Sequence, residues 1–179
     1  MTPTDVRPDR APRTPGRLMF LFAFHAVLSG AFVVAYLTGD EDTYAMHQFA
    51  GYTALAALAV RGAAGLLMPV GPLRFPRPSS TATLDWLRRA AFGDARTWGQ
   101  RSPLLAWMAL ALLAMVGAAA LSGAVADFVV PMEKLHEALG EFSLPVVLAH
   151  VALVFALLGL KKAAALRARV PNRREVSAP

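Results

Sequence analysis

Four runs of apolar residues, at 18–38, 47–68, 104–126 and 134–160, take up about half of the 179-residue chain. A run of about 20 such residues matches a hydrocarbon core ~30 Å thick. Inside lipid every backbone polar group must be satisfied within its own segment, so runs of this kind predict α-helices. The expected fold class is therefore all-α: an integral membrane four-helix bundle. Composition agrees, with 56% hydrophobic and 17% charged residues, where a soluble domain carries about a quarter charged.

The net charge of +6 raises a nucleic-acid reading, since basic chains bind phosphate surfaces. The distribution argues against it. Of the 18 Lys and Arg, four precede the first run, six lie at 69–103 and six follow Leu160. In a four-span chain these three segments share one side. The two opposite loops hold Asp40, Glu41, Asp42, Asp127 and Glu133, with Lys134 as their one base. Sixteen against one is the positive-inside pattern, which predicts both termini on the cytoplasmic side. The chain contains no cysteine, so thiolate-held clusters, disulfides and covalent c-type haem attachment are excluded. The first apolar run is longer than the roughly 7–15 residues of a signal-peptide core and no A-x-A site follows it, so it is read as a retained helix.

Residues 1–17, rich in Pro, Arg and Asp, predict a disordered cytoplasmic tail, and residues 163–179 a basic cytoplasmic tail. The loop 69–103 is the longest connection. Within it "STATLDWLRRAAFGD" predicts a short helix with a Ser or Thr cap and Gly93 near its stop. Leu84, Trp86, Leu87 and Phe92 among arginines suit a short interfacial helix; a surface helix packed on the cytoplasmic end of the bundle fits equally. In the third run Gly117, Ser122, Gly123 and several alanines predict close helix approach, and the same small residues would also make room for a flat cofactor.

All four histidines lie in or at the end of a span: His25 in the first, His47 opening the second, His136 and His150 in the fourth. At ~1.5 Å per residue, His25 stands roughly 10 Å and His150 roughly 15 Å from the inner ends of their helices. His47 and His136 stand at the outer ends. The four thus sort into two level-matched pairs. His136 and His150 are fourteen residues apart, which at ~100° per residue is within about 40° of a whole number of turns and spans ~21 Å. Both imidazoles then face nearly one side of their helix, with Pro145 between them as a possible kink.

Arg61 lies inside the second run, fourteen residues after His47 and near the inner histidine level. An intramembrane Arg normally has an anionic partner or a polar cavity, and no Asp or Glu stands at that level. Two readings remain open: pairing with a cofactor carboxylate, such as a haem propionate, and snorkelling to the inner interface.

A single membrane histidine is most simply a hydrogen-bonding helix contact. Two level-matched pairs ask for more. Zinc and copper sites generally take three or four ligands, whereas haem iron takes two axial ligands and its porphyrin fills apolar space. Two bis-histidine haem b groups, stacked across the bilayer, are the best chemical match.

The ordered set His25, "LTGD" at 37–40, "HQFAGY" at 47–52, "RGAAG" from Arg61, "RF" at 74–75, "GQRSPLLAWMALALL" at 99–113, "LSG" at 121–123 and the His136/His150 pair resembles the bacterial cytochrome b561 family, which merges with the cytochrome b subunits of nickel–iron hydrogenases. The resemblance covers residues 16–162. It implies four transmembrane helices in a bacterial inner membrane. It also implies two haem b groups, with His47 and His136 as ligands of the outer iron and His25 and His150 of the inner one. Arg61 would join the cofactor-binding set, and no residue would be catalytic in its own right. Family members commonly have Trp after the first-span histidine, where this chain has Ala26. The implied function is electron transport in a respiratory chain. Electrons would pass between a periplasmic-side donor (a cytochrome c, or a dehydrogenase or hydrogenase subunit) and membrane quinone. A stand-alone superoxide:quinone oxidoreductase and a haem-free anchor or assembly subunit are the alternatives. The implied partners are membrane lipid, quinone and a periplasmic redox protein, in a homodimer or a larger complex.

Overall fold

A computed structural model describes residues 15–68, 73–93, 97–98 and 100–169. Among them there is no strand, and the all-helical expectation holds. Five α-helices lie wholly among the described residues: α1 (Pro15–Leu37), α2 (Tyr44–Leu67), α3 (Ser80–Ala91), α4 (Leu104–Ala126) and α5 (Glu133–Arg169). Single 3₁₀ turns at Glu41–Thr43 and Val130–Met132 lead into α2 and α5. Four of the helices, α1, α2, α4 and α5, are long and apolar enough to cross a membrane, as a multi-pass protein requires.

The chain divides into two units, Met1–Phe75 and Pro76–Pro179. In the first, α1 packs against α2 as a helical hairpin. The buried residues of α2 are Ala50, Ala54, Arg61 and Gly65, at spacings that make one stripe of a 3.6-residue helix. In the second unit α4 packs against α5. Ser143 and Leu157 are the buried residues of α5, 1% and 7% exposed. They are fourteen residues apart and interleave with His136 and His150, so positions 136, 143, 150 and 157 recur every seven residues. The two histidines therefore sit on the stripe that α5 buries. Pro145 lies inside α5 without interrupting it.

Large apolar side chains along the spans are widely exposed, among them Phe22, Phe49, Phe142 and Phe155 at 64–76%. In water such a surface would be a liability; lipid is the natural cover for helices of this length.

Helix bounds depart from expectation in two places. α1 begins at Pro15, where proline suits a first helical position, so residues 15–17 are helical and the rest of the expected N-terminal tail lies outside the described residues. α5 runs to Arg169, nine residues beyond the expected inner end. Lys161 and Lys162 read as a membrane anchor, but anchoring does not end a helix. Ala163, Ala164, Ala165, Leu166 and Arg167 are all strong helix formers, with no Gly or Pro to stop them. The end of the expected basic tail, from residue 170, lies outside the described residues.

The short helix between spans two and three is present as α3. Ser79 caps it, its hydroxyl accepting from the Ala82 amide at 3.4 Å. Gly93 supplies the positive φ of +76° just past its end, a conformation that favours glycine.

Candidate functional site

In each hairpin a 3₁₀ turn delivers a histidine as the fourth residue of the returning helix: His47 in α2 and His136 in α5. In each case the imidazole reaches back to a backbone carbonyl of the preceding helix. His47 Nδ1 lies 2.7 Å from the Ala35 carbonyl oxygen. His136 Nδ1 lies 3.0 Å from the Ala119 carbonyl oxygen. A carbonyl only accepts, so Nδ1 carries the proton in both rings and the lone pair falls on Nε2. Fixing the tautomer by an Nδ1–H bond to a carbonyl is how metal-ligating histidines are commonly held.

The two rings are seated differently. Tyr44 stacks near His47, with centroids 6.3 Å apart and planes within 18°. His136 lies against the backbone of α4 at Gly123, where a Cβ would fall 2.8 Å from the ring. Ser122 completes this seat. Its hydroxyl donates to the Ala119 carbonyl at 2.9 Å, and its oxygen stands 3.3 Å from His136 Nδ1, where it shares the Nδ1–H with that carbonyl. The small residues expected to permit close approach do so at Gly123, while Gly117 has nothing within 4 Å of its would-be Cβ.

Fourteen residues after the first histidine of each returning helix stands a second polar residue on the same stripe, Arg61 in α2 and His150 in α5. The position midway is small and buried in both: Ala54 at 4% and Ser143 at 1% exposure. The two hairpins are thus built on one plan, which differs at the inner position. His150 is half-buried, and His25 lies on an exposed face of α1 with the Phe24 ring edge-on at 6.2 Å. Ser29 donates its hydroxyl to the His25 carbonyl at 2.5 Å.

Arg61 is 7% exposed and has acceptors of a kind the sequence does not advertise. Its guanidinium donates to the Leu73 carbonyl at 2.7 Å and to the Arg74 carbonyl at 3.4 Å. It also stands over the Phe75 ring at 5.5 Å, within cation–π range. The chain leaving α2 is folded back onto the charge, and Gly65 makes room: a Cβ there would lie 2.7 Å from Phe75. Backbone oxygens therefore share the stabilisation of this charge, and a guanidinium has further donors to give.

Among the described residues no three His, Cys, Asp or Glu side chains gather as a conventional metal site would need. Comparison with protein-family models, with curated proteins and with solved structures finds no match to this chain.

Proposed function

We propose that this protein is a di-haem b-type membrane cytochrome, similar to the bacterial cytochrome b561 family, that carries electrons across the bilayer between a periplasmic-side donor and the membrane quinone pool. The observation that carries this reading is the shared posture of His47 and His136. Both present Nε2 as the basic nitrogen by giving Nδ1–H to a carbonyl, at 2.7 Å and 3.0 Å. A helix contact alone would not require the same tautomer at the same place in both hairpins. The fit extends to chemistry: imidazoles are suitable axial ligands for haem iron, and a haem asks only two of the protein.

In this proposal His47 and His136 hold the outer haem, and His25 and His150 the inner one, paired by their levels along their own helices. When bound, the haems would supply one-electron chemistry, with the four imidazoles as the groups that would hold them. The chain does the rest. The carbonyls of Ala35 and Ala119 orient the outer ligands and raise their basicity. Arg61 places a positive charge at the inner level, fixed by Leu73 and Arg74, where a cofactor carboxylate would find a partner. With His136 and His150 fourteen residues apart on α5, about 21 Å along the helix, two groups held there would offer electrons a path across the membrane. The distribution of basic residues supports a cytoplasmic side for both termini and the loop 69–103, and the inner haem would lie toward that side.

The test is reduction by quinol. Purified protein mixed with a short-chain quinol analogue should develop reduced b-type absorbance bands. Absence of any quinol-dependent haem signal from protein made in haem-replete cells contradicts the proposal.

A further inference from the structure

Helix α3 has two unlike faces. Trp86 is buried at 5% exposure and meets the Trp98 ring edge-on, centroids 5.4 Å apart. Thr83, one turn earlier, accepts from Trp107 Nε1–H at 3.2 Å. Trp107 is the fourth residue of α4, so this bond fastens α3 at the entry of a membrane span. That is the level at which tryptophans gather at the lipid–water boundary.

The opposite face has no such partner among the described residues of its unit. Leu84 and Leu87 are 62% and 44% exposed, and Phe92, just past the helix, is 89% exposed. At ~100° per residue Leu84, Leu87, Arg88 and Ala91 fall within an arc of about 100°, on the far side from Trp86. Arg88 is exposed at one border of this apolar surface, and Arg89 is exposed about 100° further round the helix. Every basic residue of the loop 69–103 is arginine, six of them against two aspartates. Arginine rather than lysine is suited to phosphate, because its planar fork donates two parallel hydrogen bonds.

We propose that the outward face of α3 binds anionic phospholipid, with Leu84, Leu87 and Phe92 entering the acyl boundary and Arg88 and Arg89 gripping the phosphate groups. Charge complementarity selects this occupant: an apolar stripe bordered by arginine and fastened to the mouth of a span matches a lipid layer bearing negative charge. The inference is independent of haem binding.

The chain has no cysteine, so Leu87→Cys gives one labelling site on this face. The labelled full-length protein is reconstituted with equal mole fractions of either brominated phosphatidylglycerol or brominated phosphatidylcholine in otherwise identical mixed vesicles. Two arginines near an anionic surface should favour the anionic lipid by roughly thirtyfold, read as stronger quenching of the label by the brominated phosphatidylglycerol. Adding Arg88→Gln and Arg89→Gln should abolish that preference while far-UV circular dichroism stays unchanged. Equal quenching by the two lipids in the parent protein, or a preference that survives both glutamine substitutions, overturns the proposal. A label that neither lipid quenches overturns it too, and leaves the face to a protein partner.

Discussion

The imidazole of His136 rests on Gly123: a Cβ at that glycine would fall 2.8 Å from Cε1, 3.1 Å from Nδ1 and 3.2 Å from Nε2. The first of these is closer than carbon atoms approach without something moving, so Gly123→Ala must displace the ring or part the helices. Overpacking of this kind costs about 1–3 kcal/mol. The expected result is a lower melting temperature in detergent together with loss of the outer haem's spectral signature. Gly117→Ala, on the same helix with open space around it, is the control and should leave both unchanged.

Ser122 shares the Ala119 carbonyl with His136, donating to it at 2.9 Å. Ser122→Ala leaves that oxygen to the imidazole alone, strengthens the Nδ1–H bond and makes the ring a more basic ligand. The outer haem should then become harder to reduce. A gain of about 0.5–1 kcal/mol in that bond corresponds to a fall of roughly 20–40 mV for one electron. A redox titration that finds no shift, or a shift in the inner centre only, contradicts this role for Ser122.

Arg61 fastens the chain that leaves α2. Hydrogen bonds to a charged group are worth about 1.5–3 kcal/mol each, and the Arg61→Ala variant loses the bonds to Leu73 and Arg74. Hydrogen exchange should quicken at the amides of Leu73, Arg74 and Phe75, with stability down by up to roughly 3–6 kcal/mol. Arg61→Lys should not restore protection, because an ammonium cannot reach both carbonyls while lying flat over Phe75. Unchanged exchange in the alanine variant would show that the loop holds itself.

The two histidine pairs should separate under substitution. His47→Ala is expected to remove the outer haem alone, and His150→Ala the inner one alone, each leaving about half of the haem absorbance. Equal loss of both centres from either change contradicts independent sites.

Much of the fold was legible in the residues, and particular features explain where legibility stopped. The bounds of α4 match the expected span because Pro103 and Asp127 bracket it. α5 continues past the expected span end because Lys161 and Lys162 signal an expected membrane boundary, whereas the alanines after them carry the helix on. The fourteen-residue interval placed His136 and His150 on one stripe, and the burial of Ser143 and Leu157 between and beyond them agrees. The partners of His47, His136 and Arg61 were beyond reach. All are backbone carbonyls, supplied by Ala35, Ala119, Leu73 and Arg74, and every residue type carries one. A search for acidic side chains near Arg61 could not have found them. Only Gly65, Ser122 and Gly123 carried a signal, as small residues at places where another side chain must approach.

The central claim is that four imidazoles hold two haems, and the haem-to-protein ratio tests it most directly. Full-length protein purified in mild detergent from haem-replete cells is assayed by pyridine haemochrome absorbance against quantitative amino-acid analysis. The account predicts two haem b per chain. A colourless preparation, folded by circular dichroism yet holding no haem, would contradict it.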